Sequence, residues 1–181
     1  MRYLVALAFT LLAPLCVRAE MEKLATPCET QICFSWWPKL PVVTGWHHDR
    51  ESSLHFGFNA QAPEGKSFGD AEAVIYANAP FKPRMPEVKN LKQFIRNDHR
   101  NFKRSDPKMK IEEISSLVTA DGQKLHTYRF TPSKSGSFEI VSYGEEGEFY
   151  LVFTLSSRTN EALLKAQGDY EKFIVEYKSV P

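Results

Sequence analysis

Cysteine is scarce in this chain, with three residues in 181. One of them, Cys16, falls inside an apolar leader, which leaves Cys28 and Cys33 in the stretch CETQIC. A redox Cys-x-x-Cys has two intervening residues and this pair has four, so dithiol–disulfide exchange of that kind is excluded. The catalytic signatures are missing as well. There is no Gly-x-Ser-x-Gly elbow for a serine nucleophile. There is no phosphate-binding P-loop and no Gly-x-Gly-x-x-Gly, so nucleotide chemistry has no support and no cofactor is expected. After the leader no segment is apolar enough to cross a bilayer. Net charge is almost absent too, at +1 from 23 Lys and Arg against 22 Asp and Glu, and only its distribution bears on partners.

What is present begins with an export signal. MRYLVALAFTLLAPLCVRAE has a basic start at Arg2, an apolar run from Tyr3 to Val17 and small residues around Ala19. That order predicts a signal peptide over residues 1–19, cleaved after Ala19, and a periplasmic or secreted protein. Pro14-Leu15 precede Cys16 where a lipidated cysteine needs small residues, which argues against a lipoprotein. In an exported chain the remaining pair, Cys28 and Cys33, reads as a disulfide. The rival zinc reading joins both thiolates to His47 and His48. Adjacent histidines on a strand point to opposite faces, so that reading is the weaker one.

Residues 20–41 read as an irregular N-terminal arm, docked by Trp36 and Trp37 and followed by one α+β domain over 42–181. Leu54, Phe56 and Phe58 alternate with His55, Gly57 and Asn59, the period of a half-buried strand. Residues near Val42, Val43 and Trp46 make its partner, with a turn at Asp49-Arg50-Glu51. A turn at Ala62-Pro63-Glu64-Gly65 and a buried strand over Ala71–Ala79 follow. Leu91, Phe94, Ile95 and Phe102 share a helical face, so a helix is predicted over Asn90–Arg104, capped by Asn90 with Gln93 three residues on and stopped by Pro107.

Two hairpins come next. One turns at Asp121-Gly122, and the other joins residues 137–143 to 148–156 through Glu145-Glu146-Gly147. A final helix spans about Thr159–Lys178, with Leu163, Tyr170, Ile174 and Tyr177 on its apolar face. Hairpin connections exclude a parallel doubly wound sheet. The expected fold is an antiparallel sheet of about six to seven strands flanked by two main helices. The order of elements, with FGFNAQAPEG near the start and LVFTLSSRTNEALL before the closing helix, resembles the PsbP/Mog1-like fold over about residues 42–178. The resemblance implies an α/β/α sandwich. It carries over no functional residue, because that fold has no shared catalytic constellation.

Two candidate sites follow. The stretch TGWHHDRESSLHF, Thr44–Phe56, holds three of the five histidines. On a hairpin, His47 and His55 could converge with Asp49 or Glu51 as an oxygen donor, a set suited to zinc or copper. His99 is expected on the exposed side of its helix and His126 in a hairpin arm. Glu112-Glu113 and Glu145-Glu146 read as solubilising charges or weak calcium ligands.

The second candidate is electrostatic. Between Lys82 and Lys110 there are ten Lys and Arg against three acids. Lys92, Arg96, Arg100 and Lys103 fall at i, i+4, i+8 and i+11 and make a stripe opposite Leu91, Ile95 and Phe102. Such a stripe suits an anionic envelope surface or an acidic envelope protein. Nucleic acid is a poor partner for an exported chain, and no aromatics interleave on this face. The residues therefore point to a non-enzymatic binding or accessory domain of the envelope, with the metal-binding hairpin as the alternative.

Overall fold

The computed structural model describes residues 21–28 and 31–178. The leader over 1–19, its Cys16 and the expected cleavage site lie outside the described residues. Two antiparallel strands open the fold, β1 (Met21–Cys28) and β2 (Gln31–Pro38). The expected irregular arm is therefore a hairpin. Trp37 ties the two strands together and Trp36 docks the hairpin. Trp37 is fully buried, with Nε1 donating to Glu22 Oε2 at 3.2 Å. Trp36 packs on Phe81 and Phe149, with ring centroids 5.0 and 5.9 Å away. The Trp36 carbonyl accepts from the Ala79 amide at 2.9 Å.

The main sheet has eight strands, one more than the upper expectation. They are β3 (Trp46–His48), β4 (Asn59–Pro63), β5 (Ala73–Asn78), β6 (Lys110–Glu113), β7 (Leu117–Val118), β8 (Lys124–Thr131), β9 (Phe138–Glu146) and β10 (Phe149–Ser157). They run in the order β3-β4-β5-β10-β9-β8-β6, with β7 also on β8, and every pairing is antiparallel. Among the described residues three α-helices complete the fold: α1 (Arg50–Phe56), α2 (Leu91–Ser105) and α3 (Asn160–Val175). Among the described residues no helix is long and apolar enough to cross a membrane.

Side-chain alternation along the central strands assigns each long helix its own face. Leu151, Phe153 and Leu155 of β10 and Ile140 of β9 bury against Leu163, Ala166, Tyr170, Phe173 and Ile174 of α3. The intervening Val141 and Tyr143 of β9 point the other way, where Phe130 of β8 and Ile95 of α2 close a second core. Helices thus cover both sides of the sheet. On the α3 side a buried polar chain is kept satisfied. The Tyr170 hydroxyl donates to the Phe153 carbonyl at 3.0 Å and lies 2.8 Å from Ser142 Oγ, which in turn meets Thr127 Oγ1 at 2.9 Å.

The stretch expected as a strand around Leu54 is the helix α1. Asp49 caps it, Oδ1 accepting from the Ser52 amide at 3.0 Å, and Gly57 closes it at φ +77°. Seven residues between an acidic cap and a left-handed glycine form about two turns. Phe56 and Phe58 meet outside any sheet core, stacked 5.4 Å apart, and Phe58 stacks on Tyr76 at 4.6 Å.

Two glycines separate helical propensity from packing. A Cβ on Gly168 in α3 would meet nothing within 4 Å, whereas one on Gly144 in β9 would stand 2.5 Å from Cδ2 of the fully buried Leu125. Gly168→Ala is expected to stabilise the fold by about 0.5–1 kcal/mol. Gly144→Ala is expected to destabilise it by roughly 1–3 kcal/mol through overpacking. Urea unfolding midpoints of the two variants check both signs.

Candidate functional site

Helix α2 exists because Asn90 caps it and its apolar residues recur on one side. Asn90 Oδ1 accepts from the Gln93 amide at 2.9 Å, and Ile95, Leu91, Phe94 and Phe102 face the sheet. At 3.6 residues per turn, Lys92, Arg96, Arg100 and Lys103 fall within an arc of about 80°. All four are exposed, and Arg104 adds a fifth exposed cation. Among the described residues none of the five pairs with a carboxylate within 4.0 Å. Their polar contacts are local. Arg100 Nε donates to the Arg96 carbonyl at 3.4 Å and its Nη2 to Asn97 Oδ1, Lys103 Nζ donates to the Met109 carbonyl, and Arg104 Nη1 donates to Asn101 Oδ1 at 3.4 Å.

The one acid of the helix, Asp98, sits on the opposite side from this arc. Its Oδ2 accepts from the Tyr143 hydroxyl at 2.6 Å, beneath the helix. Burial raises the Asp98 pKa, and the Tyr143 bond only partly offsets that. Burial and the Asp98 carboxylate push the Tyr143 hydroxyl well above the ordinary phenol range. The exposed side of α2 is therefore cationic without an acidic neighbour on the same face.

His99 flanks the arc and is not on the exposed side. Its ring lies edge-on to Tyr128 at 4.6 Å and Phe130 at 5.4 Å. Burial lowers its pKa. Beside it a shallow pocket of about 410 Å³ opens between α2 and the β6–β8 edge, lined by His99, Arg100, Lys103, Ile111, Glu113 and Tyr128. Helical phase alone carried the signal for Asp98, since position 98 falls opposite 92, 96, 100 and 103. The pocket carried no local signal, because β6 and β8 complete it from distant sequence.

The histidine stretch is organised differently from the expected hairpin. His47 and His48 lie on β3 and His55 lies on α1, so His47 and His55 do not face each other across two strands. His47 Nε2 is 2.9 Å from the Lys66 carbonyl and so donates to it. Both Asp49 oxygens are occupied by amides, Oδ1 by Ser52 and Oδ2 by Phe68 at 2.8 Å, and those bonds hold its pKa low. Among the described residues no three His, Cys, Asp or Glu gather as a metal set.

His48 and Ser53 resemble a base and nucleophile in distance only. Nε2 is 2.8 Å from Oγ, but Ser53 is fully buried, donates to the Asp49 carbonyl at 2.8 Å and accepts from the Ala60 amide at 2.9 Å. With its one proton committed, the hydroxyl must accept from His48, so the imidazole cannot draw a proton from it. His126 Nδ1 sits 4.0 Å from Glu113, both exposed. Glu145 pairs with Lys82 at 2.6 Å and Glu146 accepts from the Tyr177 hydroxyl at 2.5 Å, so neither is a spare cation ligand. No protein-family model matches the chain, and no curated protein matches it, so geometry alone carries the functional reading.

Glu139 of β9 is buried on the same side of the sheet as Asp98. Its Oε1 accepts from Ser156 Oγ at 3.1 Å, and burial, with some help from the Asp98 charge, pushes its carboxyl up to about 7. The folded state thus holds a proton that the unfolded chain releases near pH 4.5. The stability linked to it is complete below that pH and is lost as pH rises to about 7. Glu139→Gln should gain on the wild type across that window by on the order of 3 kcal/mol and level off above it. His48 and His99, with lowered pKa values, tilt stability the opposite way in both proteins and cancel in the difference. Urea unfolding at a series of pH values checks it, and a pH-independent gap would contradict it.

Proposed function

We propose that this chain is a non-enzymatic domain that, once exported, binds an anionic phospholipid surface through the exposed face of α2. One observation carries the reading. All five cations of the helix face outward while its single acid is turned inward onto Tyr143. An exposed cation near an acidic bilayer contributes about 1 kcal/mol, so a row of four or five gives measurable binding without an apolar anchor. The α/β/α layering and the element order fit the PsbP/Mog1-like resemblance, which remains part of the proposal. Removal of residues 1–19 at an export step places the face where envelope lipids are its partners.

The disulfide belongs to the same reading of compartment. Cys33 is disulfide-bonded, and the Cys28 side chain lies outside the described residues. Thr26 stands opposite Cys33 and Cys28 opposite Gln31, so Cys28 occupies the diagonal position from Cys33. We infer that these two are joined. Alkylation of the unreduced mature protein should leave its intact mass unchanged, and the addition of two alkyl groups would contradict the bond.

Binding is tested by co-sedimentation with phosphatidylglycerol-containing vesicles against pure phosphatidylcholine vesicles. It should appear only with the acidic lipid and weaken steeply with salt, since the screening length falls from about 10 Å at 0.1 M to about 3 Å at 1 M. Arg96→Glu with Arg100→Glu should weaken it by more than about tenfold, a loss of over 1.4 kcal/mol. Both side chains are exposed, so stability should change by no more than about 0.5 kcal/mol each. Lys165→Glu on the exposed side of α3 serves as the control and should change binding little. Equal binding to both vesicles, or none to either, would overturn the reading.

A further inference from the structure

On the opposite side of the sheet from α2, a pocket of about 180 Å³ lies between α3 and the β7–β8 edge. Arg129 of β8 reaches it, since residues 125, 127 and 129 share the face that packs on α3. The only hydrogen bond of its guanidinium among the described residues is from Nη2 to Gln167 Oε1, at 3.2 Å. Its Nε is buried and has no acceptor there. A guanidinium is charged throughout the physiological range, and burying one of its N–H groups without a partner is unfavourable.

The nearby carboxylates do not pair with Arg129. Glu171 Oε1 accepts from Gln167 Nε2 at 2.9 Å, which also fixes the Gln167 amide with its oxygen toward Arg129. Glu112 stands opposite Arg129 in the strand register, but its side chain is exposed and no carboxylate comes within 4.0 Å of Arg129 among the described residues. The Gln167 amide spans from Arg129 to Glu171, and Ile114, Leu117, Ile140 and Tyr170 add apolar lining to the same pocket. The Tyr170 hydroxyl is engaged inside the core, so the residue contributes its ring. The pocket thus holds a cation and a carboxylate about one amide group apart, with hydrocarbon in its lining.

We propose that this pocket is a binding site for a small zwitterionic carboxylic acid. Its carboxylate pairs with the Arg129 guanidinium, its short carbon chain lies along Ile114, Leu117 and Ile140, and its ammonium meets Glu171. A guanidinium and a carboxylate form two parallel hydrogen bonds, which a neutral amide such as Gln167 cannot supply. The site lies on the α3 side, so it is independent of the lipid-binding reading of α2.

The test is an amide NMR titration of the mature chain with three four-carbon probes: 4-aminobutyrate, butyrate and butylamine. The first carries both charged ends, the second only the carboxylate and the third only the ammonium. Saturable shifts are expected around 114–117, 127–129 and 167–171, with 4-aminobutyrate tightest at a Kd in the millimolar range or below, butyrate weaker and butylamine without effect. Arg129→Gln should weaken 4-aminobutyrate by at least about tenfold. Arg129→Lys keeps the charge but loses the fork, so it should fall between the two and covers the case in which the glutamine variant folds poorly. Glu112→Gln should leave binding intact. The proposal is overturned if no carboxylate probe saturates, if butylamine binds as well as butyrate, or if folded Arg129→Gln binds like the wild type.

Discussion

Strands β9 and β10 are buried on both faces, and most of the molecule's organisation follows from that constraint. A strand presents alternate side chains to opposite sides, so two-sided burial requires two apolar partners. Ile140, Leu151, Phe153 and Leu155 take α3, while Val141 and Tyr143 take α2. The hairpin β1–β2 packs on the same core through Trp36, which meets Phe81 and Phe149. One run of polar groups in this interior is matched, from Thr127 through Ser142 to Tyr170.

The same constraint fixes the electrostatics of α2. Its apolar side must lie on Tyr143 and Phe130, and Asp98 goes down with it, because its position in the helix leaves no other direction. The Tyr143 hydroxyl receives that carboxylate. A helix with one acid and five cations therefore turns its cations to solvent and its acid toward the sheet. Had the acid fallen one third of a turn away, it would have neutralised part of the row. The raised pKa values of Asp98 and Glu139 reflect the burial that accompanies this packing.

The parts of the fold legible in the sequence are those with local signals. Asn90 and Thr159 cap α2 and α3, apolar residues recur at helical spacing, and Asp121-Gly122 and Gly147 mark turns between alternating strands. Two elements misled for physical reasons. Leu54, Phe56 and Phe58 alternate like a strand, yet Asp49 and Gly57 bracket a helix of only seven residues, too short for a 3.6-residue period to show. The sequence between Cys28 and Gln31 carries no Asn-Gly or Asp-Gly signal, so the pair β1–β2 reads as an irregular arm. The basic stripe was visible because a helix converts spacing directly into a face. The Arg129 pocket was not, since a strand and a helix 38 residues apart in sequence bring Arg129 and Gln167 together.

In the proposed mode of binding, α2 presents its cations to an anionic lipid surface while its apolar side stays on the sheet. Paramagnetic broadening of amide signals by spin-labelled phosphatidylglycerol vesicles tests this position by position. The account requires the strongest broadening at Lys92, Arg96, Arg100, Lys103 and Arg104, with α3 on the far side of the sheet unaffected. Broadening centred on α3 or on the β1–β2 hairpin, or none that depends on the acidic lipid, would contradict it.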